Sequence, residues 1–329
     1  MNLAPIKQML ISSVSLLRMK RQRERRDSVS RLRAAWMVAS NISTQCKIFR
    51  VLASPSHRDL VFTDPRFPFK YAITNYLAQG LTTSQRAECF LYHHCRVNAA
   101  FPVDLLRHIF ERNLTLHEVQ HGANLYSIEL CLPTGSDLRE GELAIEFRVD
   151  GVTIYVLQLT VIPGRVVGSK ARDVVLISRI QGVRGCYPLI YSATKAFRDV
   201  APAALLVGAA HGVAQALEID EWAGVTSERQ TCFGLDRPDM FSTAYDEFFA
   251  QLGGTCTKAG FFLGSFSEQK PLGQVNNGHK ARKKKRRAIR LQLANDVAAL
   301  IFWRCAEFSV LPGLQAPELG VERQSETML

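Results

Sequence analysis

The chain of 329 residues lacks several features that identify common protein classes. No uninterrupted apolar run approaches the ~20 residues that a membrane-spanning helix needs. None of the eight cysteines forms a CxxC pair, which argues against a cysteine zinc site and a disulfide framework. A P-loop, a GxSxG elbow, a Cys/His nucleophile arrangement and an internal repeat are also missing. These absences favour a globular domain without the commonest nucleotide-binding or hydrolase motifs, whose cysteines are mostly reduced and buried.

Positive charge is concentrated in two segments. The net charge is +11, yet residues 1–33 alone carry +7 and residues 279–290 carry +8, so the rest is slightly acidic. Such segments are usually solvated, but they also bind anionic lipids or nucleic acids through charge alone. Specific nucleic-acid binding is disfavoured because no basic and aromatic stacking platform is present. The open alternative is an anionic membrane surface contacted through Lys283, Lys284, Lys285, Arg286 and Arg287.

The N-terminal segment does not have the order of a secretory signal. Residues 9–17 are mildly apolar, but the cluster of basic residues follows them, whereas a signal has its charge first. We therefore expect a cytoplasmic protein. The basic segments also allow a peripheral contact of this protein with the inner membrane. The expected organisation is a basic extension at 1–40, a single α+β domain at 41–310 and a flexible tail at 311–329.

Hydrophobic periodicity predicts helices, then strands, then an alternation of the two. A capping box from Thr82 to Gln85 opens a helix that runs to about Val97. Period-two alternation predicts four strands, which span 125–132, 141–149, 152–161 and 173–180. A type I′ turn at Asp150-Gly151 is predicted to join the second and third of these strands. Helices are then predicted at 188–200, 202–217, 244–252 and 280–308, with strands at 222–226 and 261–266. This order predicts an α+β fold with a mainly antiparallel or mixed central sheet flanked by helices.

A glycine-containing turn after one predicted strand is the best candidate for a ligand site. Glycine lets a backbone approach a ligand closely, and backbone amides before a helix suit phosphate or carboxylate groups. Arginine adds a planar fork that binds phosphate through two hydrogen bonds. The candidate binding residues are Arg179, Gln181, Gly182, Arg184 and Gly185, followed by Thr194 and Lys195 in the next helix. The alternative is a tight turn in which an arginine pairs with an acid such as Asp173 or Glu218.

Several acids and histidines are candidates for proton transfer or metal binding. Glu142, Tyr245 and Asp246 are the catalytic candidates; Glu142 and its neighbour Glu140 act as bases if buried with a raised pKa, and are edge charges otherwise. His117, Glu118 and His121 match HExxH letter for letter, but the helix that this zinc motif needs is interrupted at Gly122, which favours a loop or strand. His93 and His94 are adjacent, so we expect one to face the core and the other solvent. No metal site is therefore predicted.

An ordered set of short motifs resembles the VirK/YbjX family of Gram-negative bacteria. The set spans roughly residues 80–300 and contains LTTSQRAECFLYHHCR at 81–96, EGEL at 140–143, IQG at 180–182, ATK at 193–195, the helix at 202–217, YDEFF and LGG within 245–254, GFF at 260–262, and basic 283–290. The resemblance implies a bacterial domain of unresolved biochemistry, whose relatives are linked to virulence and to resistance against antimicrobial peptides. The resemblance assigns no catalytic residue to this chain.

A more remote resemblance is to the GNAT acyltransferases, including the autoinducer synthases. It lies in the order of strand, glycine turn, helix, strand, helix and strand, with Ser178-Arg179 at the place of a Ser-Arg pair before the acyl-carrier site. This resemblance implies a splayed strand whose backbone amides bind the pantetheine and pyrophosphate of an acyl-CoA or a phosphopantetheine-bound acyl donor. The alternative is a non-catalytic adaptor that associates with the inner membrane face through its basic arms.

Overall fold

A computed structural model describes Trp36 and residues 39–64, 66–133, 138–231, 242–267 and 277–309. In the last two ranges, side chains are described from Tyr245 and Lys284 onward. The predicted tail at 311–329 and nearly all of the predicted extension at 1–40 lie outside the described residues. Across the described ranges, no helix combines the length and apolar character needed to cross a membrane.

Among the described residues, four bounded α-helices and one 3-10 helix lie between Ile42 and the sheet. The α-helices are α1 (Ile42–Leu52), α2 (Pro55–Thr63), α3 (Thr83–Ala100) and α4 (Val103–Arg112), and the 3-10 helix spans Phe67–Ala72. The predicted capping box is confirmed: the Thr82 hydroxyl accepts from the Gln85 amide, and the Gln85 side chain accepts from the Thr82 amide. These two bonds satisfy donors that the first helical turn leaves unpaired.

The centre of the fold is a mixed eight-stranded sheet, which confirms the predicted α+β class. Its strands are β1 (Leu114–His121), β2 (Asn124–Cys131), β3 (Leu143–Val149), β4 (Val152–Pro163), β5 (Asp173–Gly182), β6 (Glu221–Val225), β7 (Thr255–Cys256) and β8 (Phe261–Ser265). They lie in the order β1-β2-β3-β4-β5-β6-β8-β7. Every neighbouring pair is antiparallel except β5 and β6. The predicted turn is confirmed, since Asp150 and Gly151 both have positive φ, at 49° and 78°.

The part of the chain described after the meander contains four α-helices. They are α5 (Tyr187–Ala196), α6 (Pro202–Ala216), α7 (Phe248–Leu252) and α8 (Asn277–Ser309). α5 ends earlier than predicted because Arg198 and Asp199 adopt left-handed φ values of 55° and 62°. The single helix predicted at 244–252 is instead a π-helical turn at Ser242–Glu247 followed by α7, which ends at Gly253 with φ 107°.

The sheet has a hydrophobic layer on each face. One layer holds alternate β4–β6 residues such as Ile162, Val174 and Ala223 beneath α1, α3 and the 3-10 helix. The other holds residues such as Val161, Val175 and Trp222 beneath α4, α6 and α8. Alternation along a strand produces this division, because successive side chains point to opposite faces.

The expectation that most cysteines are buried is wrong for the described residues. All seven described cysteines are free thiols, but only Cys89 and Cys131 are buried. Cys46 and Cys95 are exposed on the outward faces of α1 and α3, and Cys256 is exposed on the edge strand β7. Cys232 lies outside the described residues.

Candidate functional site

β5 separates from β6 at a β-bulge. The two parallel strands pair over three positions only, ending at Ile177 opposite Gly224. On the other side of β5, the consecutive residues Gln158 and Leu159 of β4 face Arg179 and Ile177, so Ser178 is the extra residue of the bulge. A bulge bends its strand and increases the local twist. β5 therefore follows β4 as far as Gly182 while β6 ends at Val225, and the parallel strands diverge after Gly224.

Two buried side chains take the place of β6 beyond this point. Gln230 Nε2 donates to the Ser178 carbonyl at 3.0 Å, and the Tyr245 hydroxyl is hydrogen-bonded to the backbone of Ile180. Both Gln230 and Tyr245 are 2% exposed. Because a buried backbone group without a partner is costly, these side chains stabilise the diverging strand. Burial and then the charge of Glu140 raise the pKa of Tyr245 far above its ordinary value, so the phenol keeps its proton.

Glu140 joins the bulge to the neighbouring segments. Its carboxylate lies 3.1 Å from the Arg179 guanidinium and accepts a hydrogen bond from Thr231 Oγ1 at 2.5 Å. Its carbonyl accepts a hydrogen bond from the Ser178 hydroxyl. Asp173 and Glu218 are thus not the partners of Arg179. Glu140 is not an edge charge either, since it is 7% exposed.

One buried acceptor beside the bulge is unsatisfied. The side-chain carbonyl oxygen of Gln158, on the β4 residue that faces Arg179, receives no hydrogen bond from any described group. Gln158 is 1% exposed. An orphaned buried amide oxygen is rare and costs about 1–3 kcal/mol, which makes it a natural place for a donor supplied by a ligand.

The turn after β5 presents backbone amides before α5, as the sequence predicts. Gln181 and Arg184 are exposed, and Gly185 has φ 86° in open space. A Cβ on Gly182 would come within 2.9 Å of the Ile190 side chain, so glycine keeps the strand end close to α5. The amides of Arg184 and Gly185 have no acceptor among the described residues. The turn therefore combines free donors, exposed cationic charge and a helix N-terminus.

Thr194 and Lys195 are not brought to this turn. They lie in the last turn of α5, at the opposite end from Gly185. Thr194 Oγ1 donates to the Ile190 carbonyl at 2.8 Å, and Lys195 Nζ lies 2.9 Å from the Asp199 carboxylate. Both side chains are thus engaged within their own helix and its C-terminal cap.

Asp246 holds a neighbouring turn. Its carboxylate accepts from the Ser227 amide at 2.8 Å and from the Ser227 hydroxyl at 2.5 Å. These bonds cap the 3-10 turn Ser227–Arg229, which comes directly after β6 and leads to Gln230. Asp246 therefore fixes the turn that leads to Gln230, whose side chain bonds to Ser178 of β5. Its neighbour Tyr245 points to the bulge.

Glu142 belongs to a second polar cluster on the same face of the sheet. Its carboxylate is buried, with Lys70 Nζ at 2.8 Å, His94 Nε2 at 3.1 Å and the Tyr76 hydroxyl at 2.5 Å. Burial alone would raise its pKa, but the Lys70 charge and the His94 hydrogen bond outweigh burial and lower it to about 2. Glu142 is thus a permanently ionised carboxylate, and the raised pKa of a general base is not found.

A chain of imidazoles extends from Glu142 to α2. His94 donates from Nε2 to Glu142, and its Nδ1 lies 2.9 Å from His57 Nε2. Ser56 Oγ lies 2.9 Å from His57 Nδ1. Burial, with a further contribution from His94, lowers the pKa of His57 to about 2. This chain of hydrogen bonds joins α2 to α3, and His57 adds no positive charge to the interior at neutral pH.

The expectation that His93 or His94 faces solvent is wrong, because both are buried. His93 Nδ1 accepts the Val161 amide at 3.0 Å, where β4 extends past β3 and needs an acceptor.

The HExxH match lies in β1, as the preferred loop-or-strand interpretation predicts. Four residues along a strand span roughly 13 Å, too far for His117 and His121 to share one metal. Among the described residues, no group of three or more His, Cys, Asp or Glu side chains is arranged to hold a metal ion.

Sequence reasoning missed the partners that come from distant segments. Lys70 and Tyr76 contact Glu142, and His57 contacts His94. Gln230 contacts Ser178 at the bulge, and Thr231 contacts Glu140. None of them stands in a motif, and each reaches its partner from a different part of the chain. The available signal was the EGEL segment, whose two glutamates flank a glycine. Gly141 allows that segment to lie against β4, since a Cβ there would be 2.9 Å from Gln158 Cβ.

We expect Lys70→Met to destabilise the protein by about 3–5 kcal/mol at pH 7, because it leaves a buried carboxylate without its cation. The wild-type pKa of Glu142 is below its unfolded value, so its ionised form contributes stability above pH 4.5 that is lost as the pH falls towards 2. The difference in the free energy of unfolding between variant and wild type should therefore become smaller below pH 4.5. Urea denaturation from pH 7 down through this range measures that difference.

The matched control is Lys70→Met combined with Glu142→Gln, which removes both charges and should recover part of the loss at pH 7. A single Lys70→Met variant as stable as the wild type would contradict the assigned pair.

Comparisons with known proteins agree with the resemblance found in the sequence. The uncharacterized protein YbjX of Escherichia coli (strain K12) is 24% identical over 210 residues, covering 61% of this chain and 62% of that protein. The chain thus matches less than two thirds of that relative's length. No solved structure matches. The model of the family described as "Protein of unknown function (DUF535)" matches residues 21–299. The VirK/YbjX resemblance is thereby confirmed, and the chain belongs to the DUF535 family.

Proposed function

We propose that the protein is an acyltransferase that takes its acyl group from acyl-CoA or from a phosphopantetheine-bound carrier. The observation that carries this proposal is the divergence of β5 from β6 at the Ser178 bulge. The remote GNAT resemblance implies a splayed strand of this kind at the place of Ser178-Arg179. Among the described strands, the single parallel pair lies at this point, between antiparallel neighbours.

The turn after β5 suits the phosphate end of such a donor. The free amides of Arg184 and Gly185, the exposed Arg184 side chain and the start of α5 all favour negative charge. The donor would therefore lie along β5, with its phosphates towards Gly185.

In this proposal, Tyr245 supplies the proton that acyl transfer needs. An acceptor amine or hydroxyl attacks the thioester carbonyl, a bond to the acceptor forms and the C–S bond breaks. The departing thiolate takes the proton of the Tyr245 phenol, and the proton lost by the acceptor restores the phenol. A raised pKa keeps this phenol protonated before the reaction.

The alternative function is that of a non-catalytic adaptor at the inner membrane face. The supporting observation is the exposure of Lys284 and Lys285 on α8, next to the partly exposed Arg286 and Arg287. Several basic side chains near a surface attract anionic lipid by about 1 kcal/mol each. The link of the VirK/YbjX family to virulence and antimicrobial-peptide resistance is compatible with either function.

We expect the wild type to bind octanoyl-CoA in calorimetry, and Arg184→Gln to weaken binding about 3- to 10-fold through loss of a charge-assisted contact. Tyr245→Phe should keep the affinity and lower the rate of transfer to an amine acceptor, because it removes a proton donor without changing the ring.

Arg198→Gln is the matched control for Arg184→Gln, because Arg198 is also exposed but lies beyond the other end of α5. An absence of binding to octanoyl-CoA and to acylated carrier protein, with the fold intact, would rule out the acyltransferase.

Flotation with phosphatidylserine vesicles tests the adaptor. Replacing all five basic residues at 283–287 by glutamine should abolish co-flotation, since charge drives it. The same five changes should leave octanoyl-CoA binding intact if the donor lies at β5. Unchanged flotation would contradict the lipid contact.

A further inference from the structure

The exposed side of α8 carries little charge over most of its length. Buried residues such as Leu293 and Val297 lie on one side of the helix, against α6 and α4. The exposed residues recur at spacings of three and four and occupy the opposite side, which we call the outer face of α8. Between Lys285 and Glu307, the exposed residues of this face include a single charged one, Asp296. A helix face that stays in water usually carries more charge, so this composition is typical of a covered surface.

The outer face also exposes large apolar side chains. Phe302 is 53% exposed and Trp303 is 48% exposed. Leu291, about three helical turns earlier on the same face, is 42% exposed. Aromatic residues are enriched where proteins contact one another, because covering them removes a large apolar area from water. The face therefore offers an apolar end for a partner.

The charges of the outer face are complementary to themselves in an antiparallel arrangement. If two α8 helices pair about a centre between Asn295 and Asp296, each residue faces the one equally far beyond that centre. Lys284 then faces Glu307 of the second copy, and Asn295 faces Asp296 of the second copy. Lys284 has no acidic partner among the described residues of its own chain. Glu307 lies 2.7 Å from Arg304 but is still 37% exposed at its side chain, so a second cation can approach it.

The side-chain sizes of the outer face match in the same register. Trp303 faces Ala288 of the second copy, so the largest side chain of the face meets one of the smallest. Gln292 faces Ala299 of the second copy, which again places a long side chain opposite a short one. Such alternation of large and small residues lets two helices approach closely.

The charges of the outer face disfavour two other occupants. A parallel pair of α8 helices would bring Lys284 and Lys285 of both copies together, and like charges at such distances repel. An anionic membrane would meet Asp296 and Glu307 on the same face as the aromatic residues. The antiparallel second copy is thus the partner whose charges fit.

We propose that the outer face of α8 is the interface of a homodimer with two-fold symmetry and antiparallel α8 helices. A two-fold interface uses the same patch on both subunits, which requires this kind of self-complementarity. The face supplies fewer residues than the roughly 20–30 on each side of a standard interface, so we expect a dissociation constant in the micromolar range. The proposal does not depend on the acyltransferase function, because the outer face includes no residue of the Ser178 bulge or of the turn through Gly185.

Sedimentation equilibrium of the full chain measures the association. The wild type should approach twice the chain mass of 36.8 kDa at high concentration and dissociate on dilution. Trp303→Ala should weaken the dimer at least tenfold, because it removes the largest exposed apolar side chain of the face. The matched control is Trp36→Ala, since Trp36 is 74% exposed but lies outside α8, and it should change the dissociation constant by less than threefold. Thermal unfolding checks that both variants remain folded.

Exchange of charges tests the antiparallel register. Lys284→Glu and Glu307→Lys should each weaken the dimer, because each places like charges opposite one another. The double variant restores the opposite pair and should recover most of the lost affinity. Two single variants that dimerise like the wild type, or a double variant without recovery, would contradict the register.

Oxidative cross-linking tests the symmetry axis. Asn295→Cys places a thiol next to the axis and should give more disulfide-linked dimer than the wild type, whose own exposed cysteines set the background. The control is Ala288→Cys, whose thiol would lie roughly 22 Å from its counterpart and should not exceed that background. Equal cross-linking of the two variants would overturn the arrangement. A wild type that remains monomeric at hundreds of micromolar would overturn the dimer, and if its flotation with phosphatidylserine vesicles requires Trp303, a membrane covers the face instead.

Discussion

The constraint on which the site depends is the short pairing between β5 and β6. Once Ser178 is inserted as a bulge, β5 can keep its hydrogen bonds to β4 but not those to β6. The backbone beyond the bulge must then find other partners, and Gln230 and Tyr245 provide them. The segments that carry these two side chains are in turn fixed by the Asp246 carboxylate. A single extra residue thus determines which polar groups gather at the centre of the sheet.

Glu140 and Glu142 are two buried carboxylates of this region, and they have different partners. Glu140 faces Arg179 and Thr231 beside the diverging strands, whereas Glu142 faces Lys70 and His94 beneath the N-terminal helices. Burying charges is favourable only when each is compensated and hydrogen-bonded, and both carboxylates meet that condition. The Glu142 cluster therefore ties the helical layer to the sheet, and leaves the Glu140 cluster as the one next to the candidate ligand site.

Much of the fold could be predicted because its signals are local. The alternating strands, the Asp150-Gly151 turn and the Thr82–Gln85 capping box each depend on residues close in sequence. The exposed turn through Gly185 was predicted for the same reason. The burial of both His93 and His94 could not be predicted in this way. The Val161 amide needs His93 as an acceptor because β4 extends past β3, which only the structure shows. The partners Lys70 and Gln230 were also missed, because a long-range ion pair or amide contact leaves no periodic trace in the chain.

The most direct test of the central claim is hydrogen–deuterium exchange of the full chain with and without octanoyl-CoA. The account predicts slower exchange in the segment 178–186, where the diverging strand and the free amides of Arg184 and Gly185 would meet the donor. Arg198→Gln should show the same protection, because Arg198 lies beyond the other end of α5. Unchanged exchange in 178–186 at a saturating donor concentration, or protection confined to α6 and α8, would contradict the assignment of the acyl-donor site to the Ser178 bulge.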